Sequence, residues 1–307
     1  MPIVASEIQS LEEVQYKSKI KTFLWIILLF FLFVAAFLNF YPISDKLKTI
    51  VKTQFKGMPG CNPDFDQIRM EWVMPKIVIS DLVLPARCLN RDGEPMKFSH
   101  VTLNYNLINF SPFGLPFRLD TEFSGQPISV YFVQGIGSQM IRLKDQNLVL
   151  SRFQSLLGND FKFAGAVTVD MSLLMKDNRL AELSFKAASK DLQIPSQSIQ
   201  GFTMPNLKLN ELYVEANSAN PPRVTVDKLI LGDTDSPMRA NFKGRIDLQE
   251  GAIGFSPLDL NGEVAFSETF KNQLPLIDMM FSSFAQKDGF YQIRLGGTLN
   301  SPKPAAP

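Results

Sequence analysis

One histidine, two cysteines and no basic block beyond the flanks of one hydrophobic run: these shortages in a 307-residue chain remove most chemistries at the outset. A histidine-based triad would have to recruit His100, and the stretch Phe98-Ser-His-Val-Thr102 puts that side chain on the polar side of a strand. No Cys-x-x-Cys and no second histidine is present to share a zinc ion, and no Gly-x-Ser-x-Gly elbow to expose a nucleophile. Gly135-Ile-Gly137 opens like a dinucleotide fingerprint, but Met140 stands at the third glycine and no βαβ unit surrounds it. Asp233-Thr-Asp235 opens like a calcium loop, yet Gly244 occupies the position of the closing glutamate, so a solvated turn is expected. With 31 basic and 30 acidic residues, a net charge of +1, the chain has no positive stripe for nucleic acid. No catalytic, cofactor-binding or metal-binding residue is assigned, and the expectation is a protein that is not an enzyme.

The hydrophobic run extends from Thr22 to Phe40 without a charged side chain. As a helix rising ~1.5 Å per residue it covers roughly 28 Å, close to the hydrocarbon thickness of a bilayer. Cleaved signal segments are shorter, about 7–15 residues, and end in a small-x-small site; here Ala35 and Ala36 are adjacent and the run ends in aromatics. Trp25 and Phe40–Tyr41 sit where interfacial aromatics belong. An uncleaved single-span anchor over residues 22–41 is expected, preceded by a polar tail over residues 1–21. Lys17, Lys19 and Lys21 before the run nearly balance Lys46, Lys48, Lys52 and Lys56 after it, so charge does not orient it.

Cys61 and Cys88 give the orientation. Between them two strand-like stretches meet at Pro75, and folding a hairpin there pairs residues whose numbers sum to 149, Ile68 with Asp81 and Met70 with Ile79. Cys61 and Cys88 also sum to 149. A disulfide is expected, the alternative being two separate buried thiols, and it would persist only in an oxidising compartment. The large domain then faces the periplasm or the exterior, with residues 1–21 in the cytoplasm.

Residues 42–55 place Ile43, Leu47, Ile50, Val51 and Phe55 at helical spacing; this helix either lies near lipid headgroups through Lys46, Lys48 and Lys52 or docks on the domain. From Ile68 onward the period is two. Val101, Leu103 and Tyr105, then Phe117, Leu119 and Phe123, then Val167, Val169 and Met171 alternate with polar residues, as do Phe185, Ala240, Phe242 and Ile246. Asp92-Gly93, Asp177-Asn178, Pro221-Pro222 and Gly232-Asp233 mark turns. Short helices are expected at Ser151–Leu157, with Ser151 as N-cap, and at Leu274–Ala285. The fold class is all-β, mainly antiparallel, with one continuous and possibly curved sheet system over residues 42–300, one N-terminal transmembrane helix and a few short helices. Residues 301–307 read as a disordered tail by composition.

Four stretches carry a family likeness: Phe163-Ala-Gly-Ala-Val-Thr-Val-Asp170, Ile199-Gln-Gly-Phe-Thr-Met-Pro-Asn-Leu-Lys-Leu209, Met238-Arg-Ala-Asn-Phe-Lys-Gly-Arg-Ile-Asp-Leu248 and Lys287-Asp-Gly-Phe-Tyr-Gln-Ile-Arg-Leu-Gly-Gly-Thr-Leu-Asn-Ser-Pro302. With an anchor followed by β structure, the chain resembles protein N of the bacterial type II secretion system, the GspN family. A similar strand–glycine–strand texture occurs in AsmA-like and TamB-like envelope proteins, most of them longer. The first resemblance implies a structural or accessory component tethered to the inner membrane, working through contacts with other secretion-system proteins. The second implies a groove that binds or transfers lipid, and the 26 phenylalanines favour it unless a large core absorbs them. The expectation is a filled core, with Val101, Leu103, Val167, Val169, Phe185, Phe242 and Ile246 packing against each other and the Leu274–Ala285 helix.

Overall fold

The computed structural model describes residues 25–34, 36, 43–55, 61–71, 76–89, 94–105, 114–154, 162–177, 179–199, 202–249 and 252–306. They belong to two units, Met1–Val51 and Lys52–Pro307.

In the first unit residues 25–34 are helical (α1), and helix α2, Ile43–Phe55, begins there. Among the described residues no helix is long and apolar enough to cross a membrane. Only residues 25–34 and 36 of the expected 22–41 span are described; the rest of it, and the tail over residues 1–21, lie outside the described residues. α2 falls where the spacing predicts, with Asp45 in its first turn and Lys52 in its last, each sign suited to the helix dipole.

The second unit is dominated by one antiparallel sheet. Its strands are β1 Gln67–Glu71, β2 Lys76–Leu84, β3 Met96–Tyr105, β4 Leu115–Phe123, β5 Gln126–Gln134, β6 Ser138–Val149, β7 Ala166–Lys176 and β8 Arg179–Ile194. After a separate hairpin, β9 Gln197–Ile199 with β10 Phe202–Met204, follow β11 Leu207–Asn220, β12 Arg223–Leu231, β13 Met238–Asp247, β14 Leu258–Phe266, β15 Gln286–Lys287, β16 Phe290–Thr298 and β17 Ser301–Ala305. Spatial order follows chain order from β1 to β8, then β11 to β14 and β16, with β15 and β17 along the outer side of β16. The expected turns at 177, 221–222 and 232–233 join β7 to β8, β11 to β12 and β12 to β13; Asp92–Gly93 lies outside the described residues.

Three boundaries differ from expectation. The helix expected over Leu274–Ala285 is confined to α4, Leu276–Phe281, and an unexpected helix, α3, spans Glu268–Gln273 just before it. Pro275 has no N–H to continue a ladder and becomes the N-cap of α4, while Ser267 accepts from the Phe270 N–H and starts α3 one turn earlier. In place of a helix capped by Ser151 there is a 3-10 turn, Leu150–Phe153, whose N-cap is Val149 with no side-chain bond; residues 155–157 lie outside the described residues. The C-terminal stretch expected to be disordered is instead β17, since a two-residue turn at Leu299–Asn300 returns the chain along β16 and pairs Thr298 with Ser301 and Arg294 with Ala305.

The hairpin of β1 and β2 also shifts. Ile68 pairs with Ile79 and Met70 with Ile77, a sum of 147 rather than 149. In that register Cys61 would face Ala86. A 3-10 turn over Ala86–Leu89 winds the chain back and brings Cys88 onto Cys61, and the two form a disulfide of 2.12 Å.

Candidate functional site: the apolar face of the sheet

The strand registers put the apolar positions of successive strands on one face. One row runs Met70, Ile77, Leu103, Leu119, Val130, and resumes through Met171, Phe185, Ala216, Val226, Gly244, Leu260 and Leu295. A second runs Tyr105, Phe117, Phe132, Ile141, Leu173 and Leu183. Strict alternation alone would not keep the face continuous. In β6 the register slips between Leu143 and Gln146, where Asp145 takes φ 46°, so Leu143 and Leu148 share a face although one number is odd and the other even. β12 slips in the same way between Val226 and Leu229.

Burial along this face is uneven. On β12 to β16 it is closed: Val226, Phe242, Leu260 and Ile293 are 2–7% exposed, with Phe281 and Phe284 of the α4 region packed on the same cluster. Phe270, Leu274 and Ile277 cover Leu192, Leu207 and Leu209. On β2 to β8 most of the face is only half-buried, including Ile77, Leu103, Phe117, Phe132, Ile141, Leu173 and Phe185. The expected closed core therefore holds for Val167 and Phe242, which are buried. It fails for Val101, Leu103, Val169 and Phe185, which remain half-buried: α3 and α4 pack on the C-terminal strands, and Phe153 of the 3-10 turn packs on the Met96–Phe98 end of β3. Ile246 is half-buried at the margin of the closed region. Phe132 and Ile141 were not singled out in the sequence, although the alternation Ile128, Val130, Phe132 was there to find them.

The opposite face is polar and cross-linked. Asp120 accepts from Arg118 at 2.8 Å and Asn104 at 2.9 Å. Lys186 bonds Glu215 at 2.9 Å and Tyr213 donates to the same carboxylate at 2.8 Å; these two bonds hold Glu215 below the usual carboxylate range. Arg294 and Arg245 flank Asp259 at 2.7 and 3.3 Å, and the Arg294 bond lowers its pKa. The sheet is thus amphipathic through its thickness, with ion pairs on one side and aliphatic and aromatic side chains on the other.

The residues flagged in the sequence are scattered. His100 is exposed on β3, 4.0 Å from Glu122. Gly135-Ile-Gly137 leads from β5 into β6, with Ile136 fully exposed. Asp233 is occupied by Ser236, Asn210 and the Asp235 N–H, and the first two lower its pKa. Among the described residues no group of three or more His, Cys, Asp and Glu side chains is placed to hold a metal ion.

No protein-family model, no curated protein and no solved structure matches the chain. The amphipathic sheet is what a functional reading has to work from.

Proposed function

We propose that this chain is a lipid-binding protein of the bacterial cell envelope, anchored by residues 22–41 in the inner membrane with its β unit in the periplasm. The observation that carries this reading is the apolar face that is only partly buried over the middle of β2 to β8, beyond the Met96–Phe123–Phe153 cluster at one end, while the same face is closed over β12 to β16. A face several strands wide that is mainly apolar, interrupted by Thr121, Gln126, Gln146 and Ser189, offers acyl chains a largely desolvated bed with little directional chemistry. The ion pairs of the opposite face keep that side in water. The Cys61–Cys88 disulfide supports an oxidising compartment. No step of catalysis and no cofactor enters this reading.

A second reading follows the resemblance to the GspN family: an accessory component of type II secretion that binds neighbouring envelope proteins. The short edge strand β1 favours it, since an unpaired edge can accept a partner's strand.

Photo-cross-linking in living cells separates the two. A benzophenone amino acid at Leu119, Phe132 or Leu173 is expected to yield phospholipid adducts, and the same group at Tyr131 or Arg142, on the other face, none. Protein adducts alone from the apolar positions would reject lipid binding and favour the secretion component.

A further inference from the structure

The two edges of the sheet are unlike. Along the outer side of β17, Pro302 and Pro304 stand at alternate positions, paired with Gly297 and Leu295. A proline has no N–H to give β16, so these are the places whose nitrogens point outward, and the edge offers no donor there. The β1 edge is different. Asp64 and Val83 exchange both backbone bonds, at 3.0 and 2.8 Å, and the register sum of 147 continues into β1. Even-numbered residues therefore face β2, and the N–H and C=O groups of Gln67, Arg69 and Glu71 point away from the sheet.

We infer that β1 pairs with β1 of a second copy of this chain, antiparallel about a two-fold axis at Met70. The strand is self-complementary in that register. Arg69 falls opposite Glu71 of the second copy, and Glu71 opposite its Arg69, so both outward backbone pairs form and two ion pairs face each other on the polar side. Arg69 is exposed and has no ion pair among the described residues, while Glu71 is bonded to Lys76 at 3.0 Å. Across the join the charges alternate as Lys76, Glu71, Arg69. Met70, half-buried on the apolar face, meets Met70 of the second copy, which carries the apolar face unbroken from one copy into the other.

A non-hydrogen-bonded antiparallel pair holds its Cα atoms about 4.5 Å apart, within reach of a disulfide. The full-length Met70→Cys protein, oxidised in its membrane with copper phenanthroline, is expected to give a reducible species of twice the chain mass, and Arg245→Cys none. Arg69→Glu, which sets like charges opposite each other twice, should lower the Met70→Cys yield about tenfold. Adding Glu71→Arg and Lys76→Glu restores the alternation and should restore the yield. A Met70→Cys protein that does not cross-link, or one whose yield ignores the charge at position 69, overturns the proposal.

Discussion

Gly262 and Gly296 lie on neighbouring strands, β14 and β16, yet the space around them is opposite in kind. A Cβ at Gly262 would meet the Asn241 carbonyl and the ring of Phe242, the side chain that covers this position from β13. Nothing lies within 4 Å of a Cβ at Gly296. Gly262→Ala is therefore expected to cost about 1–3 kcal/mol through overpacking. Gly296→Ala should gain about 0.4–1 kcal/mol, because it narrows only the unfolded ensemble. Urea midpoints of the two variants should move in opposite directions. The polar face gives a pH prediction. Glu215 and Asp259 both titrate below their ordinary values because of Lys186 with Tyr213 and of Arg294 respectively. A depressed folded pKa stabilises above the unfolded value, about 3.9–4.3, and that contribution is lost as pH falls through the folded value. The stability gap between the wild type and the Glu215→Gln/Asp259→Asn variant is thus expected to shrink between pH 7 and pH 3. A gap that holds at pH 3 would mean the carboxylates act through packing rather than charge.

At the scale of elements, a proline-capped strand makes a claim that can be tested. Pro302→Val with Pro304→Val gives β17 two outward N–H groups while keeping residues that suit a strand. The mass read by light scattering should then climb past that of a dimer with rising concentration in the variant and level off at the dimer in the wild type, because a second edge has been opened to pairing. The same strand shows where sequence reading stopped. Ser-Pro-Lys-Pro-Ala-Ala-Pro reads as disordered by composition. Its pairing depends on a neighbour, β16, that composition does not reveal, and the alternation of Pro302 with Pro304 was the overlooked sign of an edge. Strand identity and the two polar-to-apolar faces were legible because Val101–Tyr105, Phe117–Phe123 and Val167–Met171 alternate cleanly. The extent of the half-exposed face was not, for two reasons. The slips at Leu143–Gln146 and Val226–Leu229 hide that residues of opposite parity share a face. The helix expected over Leu274–Ala285, moreover, spans only Leu276–Phe281, so the stretch that can lie over the sheet is shorter than the periodicity count implies.

For the whole molecule, the buried clusters of the β unit draw all their residues from positions after Val51, so that unit is expected to fold by itself. Deleting residues 1–51 should leave a far-UV circular dichroism spectrum dominated by strand signal, with a cooperative melt. A spectrum without a strand minimum, or a melt without cooperativity, would mean that the unit needs its N-terminal partner to fold.

The order of strands in the main sheet also bears on how the chain is made. Nearly every strand lies beside the one that precedes or follows it in sequence, β8 and β11 being separated only by a hairpin of their own. Pairings so local need little loop closure, and they can form one after another as the polypeptide emerges from a ribosome or translocon. Growth of that kind always leaves the newest strand unpaired on one side, exposed to whatever other chains are nearby. β17 is the last of the described strands, and its prolines cannot accept a further strand, so pairing in chain order seals the growing edge on reaching it.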